Sequence, residues 1–108
     1  MEIASAKSIL IQIEKTALTH LLEELLGCAI RYGGIRTAWY ISDLNDRREL
    51  EQSRTMAHNV LIDACNILSR NMLKNGEDNA WRAKLGNDRK VIGDFACFVH
   101  CILGLRSR

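Results

Sequence analysis

The chain has 108 residues, no proline, four cysteines and a formal net charge of +2; 47% of its residues are hydrophobic and 26% charged. This is the balance of one globular domain over residues 1–108, able to bury roughly two-thirds of the surface its unfolded form exposes, and not of a disordered chain or a disulfide-stapled miniature. The small net charge does not by itself indicate nucleic acid, and the longest uncharged apolar stretch, Phe95 to Leu105, is too short to span a bilayer.

Long stretches of Leu, Ala, Ile, Glu, Lys and Arg, with few β-branched runs, favour helix. Ile3, Ala6, Leu10, Ile13, Ala17, Leu21, Leu25, Cys28 and Tyr32 follow one another at steps of three and four. That spacing predicts one amphipathic helix, or two with a bend near Thr16 and Thr19. Gly33-Gly34 is the expected stop, since glycine accepts the left-handed conformation that ends helices. The segment "GGIRTAWYISD" then reads as a loop, with Trp39, Tyr40 and Ile41 packing it onto the bundle. Asp46 and Glu49 have the spacing of a capping box, and Ser42 or Asp43 offers an earlier cap. A second long helix is expected from Asp46 to Lys74, ending at Asn75-Gly76. "EDNAWRAKLGN" is the second connection, with a short helical turn from Trp81 to Leu85. Asn87 or Asp88 caps a third long helix, from Asp88 to Leu105. The fold class that follows is all-α: an up-down bundle of three long helices, four if the first is broken.

On the second helix, Ala57, Val60, Leu61, Ala64, Ile67 and Leu68 gather on a core face at 100° per residue. Asn59, Asp63, Asn66 and Arg70 form a narrow stripe nearly opposite, and Arg54, His58 and Cys65 lie along one border. A polar face is normal on a bundle helix, and a solvated stripe is the plainer expectation. Yet asparagine is a mediocre helix former, and the stripe lacks the usual Glu and Lys. Arg54, His58, Asn59, Asp63, Asn66 and Arg70 are therefore the candidate functional residues. Replacing Asn66 by Ala separates the readings. On a wet face the change stabilises slightly, because alanine is the better helix former, whereas a bonded asparagine leaves its partner unpaired at a cost.

The order Arg54, His58, Ile62, Asn66, Leu68, Arg70, followed by "DRKVIGDFA" from Asp88 to Ala96, resembles a group of small bacterial all-helical proteins classed as a domain of unknown function. The resemblance covers about the second half of the chain. That group runs Arg, His-Asp, Asn-Arg, then Asp-Arg before a helix with Phe-Ala; this chain has His58-Asn59 and Ser69-Arg70 at the middle positions. The resemblance implies a helical fold and brings no activity with it. Asn59 also removes the contiguous His-Asp pair that metal-dependent phosphohydrolases of that kind need, and neither His20 nor His100 is followed by Asp.

No basic region precedes an apolar run at the N-terminus, so a secretory signal is not expected, and Cys28, Cys65, Cys97 and Cys101 read as free thiols in a reducing cytoplasm. "CFVHC" sets Cys97 and Cys101 on one helical face with His100 beside them. Zinc sites place a thiol pair on a turn and need a second pair, so these thiols read as packing groups, and no metal or cofactor is expected. Gly93, Cys97, Cys101 and Gly104 make one side of this helix nearly all small, a candidate dimer or helix-packing face.

No phosphate-binding glycine loop and no readable nucleophile–histidine pair is present, so an enzyme is the lesser expectation. The expected role is association with itself, as a homodimer, or with another protein. Two alternatives remain at this stage. One is a nucleic-acid-binding regulator using Arg47-Arg48, Arg82, Lys84, Arg89-Lys90 and Arg106. The other is an enzyme or small-ligand binder using His58, Asp63, Asn66 and Arg70.

Overall fold

Apolar steps of three and four produce helix along nearly the whole chain. The computed structural model describes residues 1–104, with α1 at Ile3–Glu14, α2 at Thr19–Ile41, α3 at Leu44–Lys74, α4 at Ala80–Leu85 and α5 at Arg89–Val99. A π-helical turn, His100–Gly104, extends α5, and no strand occurs among the described residues. Leu105, the expected end of the last helix, and Arg106 lie outside the described residues. The 31 residues of α3, at about 1.5 Å each, set the long axis of a molecule measuring 47 × 25 × 23 Å.

The first helix is broken. The Thr16 hydroxyl accepts from the backbone N–H of Leu18 (3.1 Å), and the Glu77 carboxylate accepts from that of Ala17 (3.2 Å). These side chains take amides that a continuous helix would have bonded, so α1 ends and α2 begins.

Gly33-Gly34 does not end a helix. The segment expected as a loop is the last part of α2, and the connection to α3 is only Ser42-Asp43. Both glycines sit where α5 crosses. A side chain on Gly33 would run into the Ala96 carbonyl and come within 2.6 Å of His100 Cβ, and one on Gly34 would lie 3.1 Å from the His100 ring. They are needed for close approach, not for a positive φ, which among the described residues is found only at Gly76 and Gly86. Trp39 is half-buried, but Tyr40 and Ile41 are exposed, so these two do not pack the connection down.

The helix α3 starts two residues before Asp46, because Asp43 is its cap and accepts from Asp46 N–H at 2.9 Å. It stops at Asn75-Gly76 as expected. Glu77 N–H reaches Met72 O (2.8 Å) and Gly76 N–H reaches Leu73 O (3.1 Å), with Gly76 at φ +75°. Asp88 caps α5 through bonds to Lys90 and Val91 N–H.

With only two residues between them, α2 and α3 form an antiparallel hairpin. Helices α1, α4 and α5 lie against one side of it. Between them sit Ile9, Ile13, Leu25, Tyr32, Leu61, Leu68, Trp81, Ile92 and Phe95, all essentially without solvent contact. The indole N–H of Trp81 donates to Met72 Sδ at 3.2 Å.

The two kinds of mid-helix glycine in α2 should respond with opposite signs. Gly33→Ala forces a methyl into the α5 backbone and should cost about 1–3 kcal/mol. Among the described residues nothing crowds the space where a Gly27 side chain would stand, so Gly27→Ala should stabilise by up to about 1 kcal/mol through helix propensity alone. Urea denaturation of the two variants measures both.

Candidate functional site

The polar stripe of α3 converges only in part: His58, Asn59 and Asp63 share a cleft to which Asn66 is joined through Arg82 and Asn87, and Arg54 and Arg70 stand apart. Asn66 is half-buried, and its Oδ1 accepts from Arg82 Nε on α4 at 2.8 Å. Arg82 also donates to the Gly86 carbonyl (2.7 Å) and to Asn87 Oδ1 (2.6 Å). One guanidinium thus ties α3 to the α4–α5 corner, and the expectation of a merely solvated stripe fails at Asn66. Asn59, Asp63 and Arg70 are exposed, and Arg70 makes no hydrogen bond or ion pair among the described residues. His58, Asn59 and Asp63 share a shallow cleft of about 330 Å³ with Ile62 and Asn87. Within it His58 Nδ1 lies 3.3 Å from Asn59 Oδ1, while the ring meets the buried Tyr32 edge-on at 5.6 Å. His58 Nε2 is buried without a hydrogen-bond partner among the described residues.

Arg54 belongs to a different cluster. Its guanidinium lies 4.0 Å over the Trp39 ring and contacts both Glu51 oxygens at 3.1 Å. The Arg47 guanidinium is also over Trp39, at 4.5 Å, and donates to the Trp39 and Tyr40 carbonyls. Cations at the end of α2 take up carbonyls the helix leaves open and face the negative end of its dipole.

The small face of α5 is partly occupied within the chain. Gly93 faces Arg36 of α2, where a side chain would come within 2.6 Å of Nε. Cys97 is half-buried, 3.6 Å from Arg36 Nη1 and near Thr37. Gly104 packs on the ring of its own neighbour His100, and Cys101 is exposed. His100 turns away from both thiols, with Nδ1–H donating to the Ile30 carbonyl at 3.1 Å. Among the described residues, no three His, Cys, Asp or Glu side chains are grouped to hold a metal. Burial pushes the Cys65 thiol up to about 12, and burial with the Glu24 carboxylate raises Cys28 as well, which disfavours the reactive thiolate at both.

Sequence reasoning passed over the ion cluster across the α2–α5 contact. Arg36, only 8% exposed, donates to Asp94 Oδ1 at 2.9 Å, and the Met1 amine reaches Asp94 Oδ2 at 2.6 Å. Burial alone would raise the Asp94 carboxyl; the Met1 amine and Arg36 outweigh it and hold the group below its ordinary range. Burial would likewise lower Arg36, and Asp94 with Cys97 overcomes it and raises that group.

The open feature lies on the other side of the hairpin. A groove of about 770 Å³ runs between α2 and α3, with Glu24, Cys28, Arg31 and Ile35 on one wall and Met56 and Val60 on the other. A further hollow of about 370 Å³ carries it past Val60 to Ile67. Met56 is 59% exposed, Val60 48% and Ile67 41%. Val60 and Ile67 were expected in the core, but α1, α4 and α5 cover only the opposite side of α3. None of the described helices is long and apolar enough to cross a membrane. The chain matches no protein-family model, no curated protein and no solved structure.

Two measurements follow from these contacts. Asn66→Ala strands Arg82 Nε and should cost about 1 kcal/mol, whereas Arg70→Ala should stay within about 0.5 kcal/mol of wild type in the same denaturation assay. The Asp94 carboxyl has a native pKa below its unfolded value of about 3.9. Its contribution is complete above about pH 4 and is lost as pH falls through the native pKa. Asp94→Asn should therefore melt below wild type near neutral pH, and the gap should close under acid.

Proposed function

We propose that this chain works by protein–protein association in the cytoplasm, with the α2–α3 groove as its contact surface. The observation that carries this reading is the row Met56, Val60 and Ile67, three large apolar side chains left 41–59% exposed along one face of α3. Single exposed apolar residues are ordinary; a contiguous row beside a groove marks an interaction site. The groove is open along its length and bounded by two parallel walls, the shape that receives an amphipathic helix. Glu23 and Glu24 line it beside His20 and Arg31, so it is not the basic track that a phosphate backbone needs. Four thiols outside any disulfide fit a reducing compartment.

The stripe of α3 has a supporting role in this reading. Asn66 and Arg82 hold the α4–α5 corner to α3, away from the groove. Val60→Glu puts a charge on the groove wall at a position already half in water. The variant should keep its helical circular-dichroism signal and melting temperature. Affinity purification and cross-linking from the source cell should recover the partner with wild type and lose it with Val60→Glu. Equal recovery by both proteins would remove the groove from the reading.

A further inference from the structure

We infer that the partner of this groove is a second copy of the chain, docked antiparallel about a two-fold axis that passes between Gly27 and Cys28 of α2. The inference rests on the groove being a contact surface and adds what occupies it. The α2 wall carries Glu24, Gly27, Cys28 and Arg31, which share one helical face. Glu24 and Arg31 are seven residues apart, about 10.5 Å along the axis, and lie equally far from the midpoint between Gly27 and Cys28. Both are exposed, and neither has an ion-pair partner within the chain among the described residues. An antiparallel two-fold sets residue n against residue 55 − n of the other copy. Glu24 then faces Arg31 of the second copy, and the same pair recurs on the far side of the axis. Parallel docking would instead set Glu24 against Glu24 and Arg31 against Arg31.

The residues at the axis permit the approach. Gly27 has open space where a Cβ would stand, and Cys28 is small and half-buried. Helices with small residues at the crossing reach the short end of the 8–10 Å range of interaxial distances. Each α2 then lies along the groove of the other copy, and Met56 and Val60 of both α3 helices close over the pair. The result is an antiparallel four-helix arrangement whose core is the apolar row each chain leaves bare. The contact is self-complementary, as a two-fold dimer requires.

Charge reversal tests the axis directly. Wild type should be a dimer by analytical ultracentrifugation. Glu24→Arg places two Arg–Arg contacts in the interface and Arg31→Glu two Glu–Glu contacts, so each should raise the dimer Kd by about tenfold or more, and less so in high salt. An equimolar mixture of the two variants restores both opposite-charge contacts and should dimerise again, as should the double variant Glu24→Arg/Arg31→Glu. Both positions are exposed, and circular dichroism confirms that each variant is folded. A monomeric wild type at the highest soluble concentration overturns the second-copy inference; the groove reading stands if Val60→Glu still loses another partner. A dimer that Val60→Glu leaves intact overturns both. A dimer that Val60→Glu breaks, but in which mixing or the double variant fails to rescue the single reversals, overturns the antiparallel axis.

Discussion

Helix α5 can lie on α2 only because glycine removes side chains from the crossing. Gly33 lets the Ala96 carbonyl come against the α2 backbone, and Gly93 opens the space that the Arg36 side chain enters. A guanidinium placed there has left most of its water behind, and a buried charge is tolerated only when it is paired and hydrogen-bonded. Asp94, one turn from Cys97 on α5, supplies the partner at 2.9 Å. The Met1 amine on the other carboxylate oxygen brings the start of α1 to the same point. Three elements are thus registered by one carboxylate. Desolvation makes such a pair a weak source of net stability. What it supplies is position, since this placement of α5 pairs Arg36 with Asp94 while the Arg36 side chain fills the space over Gly93.

That registration decides which side of the hairpin is covered. The helices α1, α4 and α5 are short, and all three are drawn to the Arg36 side, where Leu61, Leu68 and Met72 of α3 meet them. None remains for the side that carries Met56, Val60 and Ile67. The described helices besides α2 are too short to wrap a 31-residue helix on all sides. The groove is therefore a consequence of the same packing that makes the core.

Helical content and the main boundaries were legible in the sequence because they rest on local physics: three- and four-residue spacing, the Asn75-Gly76 stop and the Asp88 cap. Gly33-Gly34 was misleading because a glycine that ends a helix and one that admits a neighbouring helix are the same letter. The discriminating signal was present downstream, where Tyr32, Ile35 and Trp39 continue the earlier spacing without a break. The stripe on α3 was visible as a pattern, but its partners were not. Arg82 is 16 residues from Asn66 and lies on a different helix. Arg36 and Asp94 are 58 residues apart, and nothing local marks either as buried. The open row Met56, Val60 and Ile67 could not be told from core, since periodicity identifies an apolar face and not whether a neighbour covers it.

In the proposed dimer, charge and apolar area have separate roles in the groove. Glu24 and Arg31 are solvent-exposed, and an exposed ion pair contributes about 0–1 kcal/mol. Such pairs cannot by themselves offset the several kcal/mol of translational and rotational freedom that association removes. Affinity has to come from desolvating Met56, Val60 and their neighbours, at about 25 cal/mol per Å² of apolar surface. Apolar burial is indifferent to direction, however, and would accept a partner helix running either way. The alternation of Glu24 and Arg31 around two small residues breaks that degeneracy, because like charges set face to face are costly in the parallel arrangement and absent in the antiparallel one. In the proposed dimer the apolar row determines how tightly the second helix is held, and the two charges determine which helix and in which direction.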